Sequence, residues 1–392
     1  MDLEEEILTS YEEALALRRE LHQNPELSLK EYKTAAFIAS KLDSFGIKHR
    51  RVFDTSVVGE IKGKGEGNTI LLRADIDALP IQENTSLDYS SKVDGVMHAC
   101  GHDMHTAILL TAAKILSKHR DSFNGNVRLV FQAGEEIGRG ARELVGDGVL
   151  SEVSRVFGLH VAPDIPYGSV GIKKGPNNAS VDAFTIKEEG KEAHVATPEK
   201  GVDAIFILSQ IIVNLQSLIA RCTSPLEPKI VGVGKIKGGS SYNIIASTAE
   251  AEGTLRAATN ESRSTLKKKI DLIVKETANQ FGGAATVNWK DYASPLINSS
   301  LVCDELIELI HTMCPDITIV TDRPFSLTGD NFSDFIESVD GAYLYLGTAS
   351  DECKNSKSPY HTPTFSPDER ALLNGVRIEV LYVLSYLNAL IS

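Results

Sequence analysis

The sequence predicts an α/β protein: a larger domain on a mostly parallel sheet flanked by helices, with a small α+β domain inserted into it. Three observations carry this prediction. Towards both ends of the chain, apolar runs of strand length alternate with segments of helical period, the order that covers a parallel sheet on both faces. In the middle, period-two alternation takes over with a different order of elements. Finally, clusters of polar side chains fall just past the strands, where an open parallel sheet binds its ligands.

The elements follow in order. Ser28 and Glu31 have the spacing of a capping box ahead of AAFIASKL, and Gly46 is placed to end that helix. TILLRA (69–74) reads as a buried strand running into Asp75 and Asp77, and HTAILLTAAKIL (105–116) has helical apolar spacing. NVRLVFQ (126–132), VSRVFGLH (153–160, ending on His160) and AYLYLGT (342–348) read as further strands. Ser366, Pro367 and Glu369 form an N-cap, an N1 proline and a capping box for the last helix. In the middle, VDAFTIKE alternates, and AIFILSQIIVNLQSLI sets Ile205, Leu208, Ile212, Leu215 and Ile219 on one helical face. KIVGVGKIKG and AEAEGTLRAA read as strands, followed by a helix over 262–281 and the strand ATVNWKDY. This βαββαβ order is a split-βαβ, ferredoxin-like unit. It assigns 179–293 to the insert and 1–178 with 294–392 to the larger domain.

Composition bounds the function. A chain of 392 residues is long enough for two domains with a sizeable core. The net charge of -13 argues against nucleic acid or an anionic membrane surface as the main partner. The acidic start MDLEEEILTSYEEALALRRE is no secretory signal, and AIFILSQIIVNL, interrupted by Ser209, Gln210 and Asn214, is too short to cross a bilayer. Five scattered cysteines, an odd number, make no disulfide framework and suit a reducing cytoplasm.

The polar clusters are Cys100, His102, Asp103 and His105; the pair Glu135 and Glu136; His160; and His361 in SPYHTPTF. Thiolate, imidazole and carboxylate are the ligands of zinc and, with fewer thiolates, of manganese or cobalt. Five candidate ligands are too many for one tetrahedral catalytic ion; they suit two ions about 3.5–4 Å apart with a shared ligand. Of the two adjacent glutamates, one can ligate while the other takes the proton of an attacking water. Asp77 and Asp103 are candidates to orient the ligating imidazoles. Taken singly, Cys100 would be a small buried hydrophobe and Glu135–Glu136 a helix N-terminal pair. It is the four clusters together, at matching places in the topology, that favour a site.

HACGHDMHTA, FQAGEE, GLHVAP and YHTPTF, in this order, resemble the M20 family of metallopeptidases. The match is to the amidohydrolase branch with aminoacylases, hippurate hydrolases and auxin-conjugate hydrolases. The likeness extends from LHQNPELSLKEYKTAAFI through RADIDALPIQE to the C-terminal helix. It implies a phosphorylase/hydrolase-like catalytic domain and a lid that commonly mediates dimerisation. It also implies two divalent cations per subunit, manganese first, with zinc or cobalt as alternatives. Their ligands fall on Cys100, His102, Glu136, His160 and His361, with Glu135 as general base and Asp77 supporting the cluster. In the lid, His194 in GKEAHVATPEKGVDA matches a histidine that reaches a partner subunit's active site and stabilises the oxyanion. Asn243 and Arg256 match substrate-contacting positions, Arg256 as a carboxylate clamp. The chain departs from the family pattern in GKEAH, PEKG and TGDNFSDF, positions that bear on substrate choice.

The expected activity is metal-dependent hydrolysis of N-acyl-L-amino acids by a cytoplasmic homodimer that binds neither nucleic acid nor membrane. A dipeptidase, aminopeptidase or carboxypeptidase of the same family is the alternative. A non-catalytic ligand-binding homologue would require a broken ligand set, and here the set is complete.

Overall fold

The computed structural model describes residues 3–388. It divides into two compact units, Met1–Gly175 with Ile297–Arg323 and Asn331–Ser392, and Pro176–Leu296 with Pro324–Asp330.

The first unit is built on an eight-stranded sheet. Its strand order is Lys48–Val52, Ser56–Lys62, Asn126–Gln132, Thr69–Asp75, Val153–Pro166, Gly341–Ala349, Ser169–Gly171, Thr318–Val320. The four central strands run parallel, with Leu72 opposite both Leu129 and Phe157, and Tyr345 opposite His160. Antiparallel pairings flank them on both sides, and the edge strand Thr318–Val320 returns to a parallel pairing with Ser169–Gly171. Thr69–Asp75 is buried along its whole length because helices cover both faces of the sheet, which is why its sequence is a continuous apolar run. The helix His102–Lys118 is buried nearly all round and packs against Ala371–Tyr386 and Tyr11–Gln23. Its first turn lies beyond the carboxyl ends of the central strands.

Several local expectations give way to tertiary partners. Helix Tyr32–Ser44 does end at Gly46 (φ 69°), where Gly46 and Ile47 donate back to Asp43 and Leu42 in a Schellman closure. Its predicted capping box does not form. Ser28 Oγ donates to Asp77 Oδ2 at 2.6 Å, and Glu31 Oε1 accepts from Leu29 N and Gly134 N at 2.8 and 2.9 Å. The last helix starts at Ala371, after the predicted box, because Glu369 pairs with Arg18 and Arg19 instead. His160 lies inside a long strand, Val153–Pro166, not at its end, since pairing with Gly341–Ala349 continues past it.

The second unit is a four-stranded antiparallel sheet, ordered Lys229–Gly238, Thr248–Ala257, Val181–Glu189, Ala284–Ala293. The helices Ala204–Arg221 and Asn260–Gln280 complete the βαββαβ order. They close a separate core of Phe184, Ile186, Ile207, Ile211, Leu255 and Ile270. Helix Ala204–Arg221 buries Ala204, Ile207, Leu208, Ile211, Leu215 and Leu218, whereas Ile205 stays exposed. The packed face is thus rotated from the predicted one. The run is apolar almost all round, so periodicity alone does not select a face. The helix is also longer than the sequence suggests. At 18 residues it is long and apolar enough, by length and composition, to cross a membrane, and the face it packs in this core accounts for much of that hydropathy. Pro324–Asp330 joins this unit through Ser326, which exchanges backbone hydrogen bonds with Asn177 and Ala179.

Candidate active site

The metal-binding residue types of the first unit converge past the central strands. Gly101, at φ 93°, turns the chain from Cys100 into the helix that begins at His102; a β-carbon there would collide with Val161 Cγ2. On the next strand, Asn126–Gln132 runs into the tight turn Glu135–Ile137. His361 has an unusual left-handed backbone (φ 58°) and donates its N–H to Ala99 O at 2.8 Å, tying its loop to the residue before Cys100.

Ligand-type atoms of three overlapping groups lie within 4.8 Å of one another: Cys100, His102 and His160; Cys100, Glu136 and His361; His102, Glu135 and Glu136. All five expected ligands therefore meet, with Glu135 beside them. Cys100 Sγ is 3.5 Å from His160 Nε2, and His361 Nε2 is 3.3 Å from Glu136 Oε2. His160 Nδ1–H donates to Val161 O at 2.7 Å, so Nε2 turns its lone pair towards Cys100. Burial, and then His105, hold the His160 pKa well below the usual imidazole range.

His102 Nδ1–H donates to Asp77 O at 3.0 Å and lies 3.2 Å from Asp77 Oδ1. Burial opposes the charge on His102, but Asp75, Cys100 and Asp77 outweigh it and lift its pKa well above normal. Asp77 does more than the sequence suggested: its Oδ2 also accepts the Glu136 N–H at 3.0 Å, so one carboxylate holds two candidate ligands.

The residues fit a pair of divalent cations. His102 Nε2 and Glu136 Oε1 are buried, 3.8 Å apart, and neither makes a hydrogen bond. Buried polar atoms are seldom left so unless something else binds them. Burial also pushes the Cys100 thiol well up, so a thiolate here calls for a neighbouring cation. The shared Cys100 links two of the groups, as two adjacent ions with a common ligand require.

One expectation is corrected. Asp103 does not orient a ligand: its Oδ2 is 2.9 Å from Arg18 Nε and 2.7 Å from His22 Nδ1. Burial would raise its pKa, but Arg18 and His22 hold it far below the carboxylate range. Neighbours on a helix point about 100° apart, so Asp103 leaves the site that His102 faces. Nor can His105 ligate, because its Nδ1–H donates to Asp75 Oδ1 at 2.5 Å and its Nε2 accepts the Val161 N–H at 2.9 Å. Asp75, which sequence reading passed over, instead anchors His105 and brings its other oxygen to 3.6 Å from His102 Nε2. Burial acts to raise its pKa, yet Arg73 at 2.6 Å, His102 and His105 hold it well below normal. Asn331 was also missed as a positioning group. Its N–H donates to Glu135 Oε1 at 3.3 Å, while its Oδ1 accepts from Arg73 Nη2 and Gln132 Nε2.

In the second unit, His194 and Asn243 lie together. Ala193–His194 pairs with Ile244–Ile245, and Val195 N–H donates to Asn243 O at 3.1 Å. Ala196 N–H donates to His194 Nδ1 at 3.1 Å, so the neutral ring carries its proton on Nε2 and presents an exposed donor. Arg256 lies on Thr248–Ala257 with Nη1 buried and making no hydrogen bond; burial lowers its pKa, opposed by Asp182.

Comparison with known proteins identifies the family. A family model for peptidase family M20/M25/M40 matches residues 71–385. The N-acetyl-L-cysteine deacetylase of Bacillus subtilis is 41% identical over 94% of this chain and 86% of its own length. The thermostable carboxypeptidase 2 of Saccharolobus solfataricus is 36% identical over 99% and 100%. The crystal structure of the YXEP protein of Bacillus subtilis, described as a dinuclear metal-binding peptidase, superposes with a TM-score of 0.84 at 34% identity. It covers 97% of this chain and 99% of that one. The chain belongs to peptidase family M20/M25/M40, on its amidohydrolase branch, and is a hydrolase of carbon–nitrogen bonds.

Proposed function

We propose that the protein cleaves the amide bond of N-acyl-L-amino acids, with Glu135 as general base. The observation that carries this reading is the Glu135 carboxylate set beside a cluster of five candidate ligands in which His102 Nε2 and Glu136 Oε1 make no hydrogen bond. Likeness to an N-acetyl-L-cysteine deacetylase supports an acylated amino acid as substrate.

Cys100, His102, Glu136, His160 and His361 would hold two divalent cations, manganese in preference to zinc or cobalt because only one ligand is a thiolate. When bound, such ions lower the pKa of water and polarise the amide carbonyl. Glu135, held by Asn331, takes the proton of the attacking water and passes it to the leaving amine. His194 donates its Nε2–H to the developing oxyanion, and Arg256, with Asn243, takes the α-carboxylate. The second unit would form a homodimer, because its edge strand Lys229–Gly238 pairs on one side only and exposes Ile236, alongside exposed Phe206 and Val213. A cytoplasmic setting follows from the scattered free thiols.

Glu135→Gln should lower turnover of N-acetyl amino acids by ~10²–10⁴-fold while the protein keeps its bound metal. Near-normal activity in that variant would remove Glu135 from the role of base. Carboxypeptidase action is the second reading, favoured by the Saccharolobus relative. Faster cleavage of free dipeptides than of N-acetyl amino acids would select it.

A further inference from the structure

Linked to His160 through one aromatic ring is a cation that the hydrolytic reading does not use. Tyr345 sits opposite His160 on the neighbouring strand, with ring centroids 6.4 Å apart. The Arg323 guanidinium stacks on that Tyr345 ring, 3.5 Å from its centroid. The Arg323 side chain is only 11% exposed, yet its Nε and Nη1 are buried and make no hydrogen bond. Asp164 Oδ2 is 3.4 Å from Nη2, but the Asp164 side chain is 57% exposed, so it neutralises the charge poorly. Lys173 adds a second positive charge; its pKa is lowered by burial and then by Arg323. A ring-stacked, nearly buried guanidinium with unused donors and weak neutralisation is built for a planar anion.

We infer that Arg323, carried on Tyr345, binds a second carboxylate of the substrate, so that the preferred substrates are N-acyl amino acids bearing two carboxylates. This rests on the hydrolytic reading above. The α-carboxylate is already assigned to Arg256, which leaves Arg323 for an acidic side chain or for the free end of a dicarboxylic acyl group. The two share one chemistry and differ in which side of the amide carries it.

The test compares kcat/KM for N-acetyl-L-leucine, N-acetyl-L-glutamate and N-succinyl-L-leucine in the metal-loaded wild type and in Arg323→Gln and Arg323→Lys. The wild type should favour one of the two dicarboxylates over N-acetyl-L-leucine, and that substrate identifies the side. Arg323→Gln should reduce the preference ~10–100-fold, the scale of a charge-assisted bidentate contact, and Arg323→Lys should restore part of it. Equal losses on all three substrates, or no change in the ratio, would overturn the inference. Equilibrium binding of succinate and propionate separates this from the hydrolytic reading, since neither has an amide. If no amide is cleaved but succinate binds more tightly than propionate only when Arg323 is present, hydrolysis falls and the carboxylate site stands. If succinate has no Arg323-dependent advantage, the site falls whatever the turnover.

Discussion

Replacing Glu31 with alanine should slow catalysis without unloading the metal. Glu31 is fully buried, and its Oε1 accepts both the Leu29 N–H at 2.8 Å and the Gly134 N–H at 2.9 Å. Gly134 is the residue immediately before Glu135, so this oxygen fixes the start of the turn that carries the base. In the same turn Ser28 donates to Asp77, which in turn holds Glu136 N–H and His102. Burial, and then Asp77, raise the Glu31 pKa, so each bond is worth between the neutral value of about 0.5–1.5 kcal/mol and the charged value of about 1.5–3 kcal/mol. Two bonds to one oxygen add to less than their sum. A loss of ~1–3 kcal/mol at the base turn corresponds to ~5–150-fold in kcat, the scale of a modest misplacement of a catalytic group. Steady-state kinetics on an N-acetyl amino acid, with metal content measured in parallel, would show kcat falling while KM and metal stoichiometry hold. Glu31→Gln keeps an acceptor and should recover most of the loss. An unchanged kcat in Glu31→Ala, with only a lowered melting temperature, would refute the positioning role.

Two further outcomes test the scaffold. Glu379 is buried inside the last helix with Oε2 making no hydrogen bond, and burial raises its pKa well above 4.5. Its folded form therefore keeps a proton that the unfolded chain releases, so its destabilising effect sets in as pH rises above about 4.5. Glu379→Leu should raise the urea midpoint at neutral pH, by about 1–3 kcal/mol in stability, with the gap closing towards pH 4.5; a gap independent of pH would refute this account. If the edge strand Lys229–Gly238 seals a homodimer, Ile236→Lys should give a monomer in sedimentation velocity, and an unchanged mass would exclude that edge.

Much of this was legible in the sequence where a single force decides the outcome. Continuous apolar runs mark the buried central strands, and the alternation of VDAFTIKE marks a sheet covered on one face. The ligand types also stand out, because Cys100, His102, Glu136, His160 and His361 fall in short polar clusters whose ligand atoms the fold brings together. The errors fall where a local rule competes with a distant charge. Ser28 and Glu369 have the spacing for capping boxes, but Asp77 and the Arg18–Arg19 pair bind them more strongly than a helix end does. Asp103 and His105 share a segment with two ligands, yet helix geometry turns Asp103 to Arg18 and commits both ring nitrogens of His105. Asp75 and Asn331 left no periodic or spacing signal, since what each does depends on partners dozens to hundreds of residues away.

The seven residues Pro324–Asp330 belong to the second unit, and the chain re-enters the first at Asn331, whose N–H reaches Glu135. A single peptide bond thus separates the second unit from Asn331, which contacts the proposed base. A tug on that short strap, through a bulky side chain or a proline swap anywhere along 324–330, has its shortest covalent route to the chemistry through this one amide. Mutational scans of the strap should accordingly register as changes in turnover, although none of its residues is a candidate ligand.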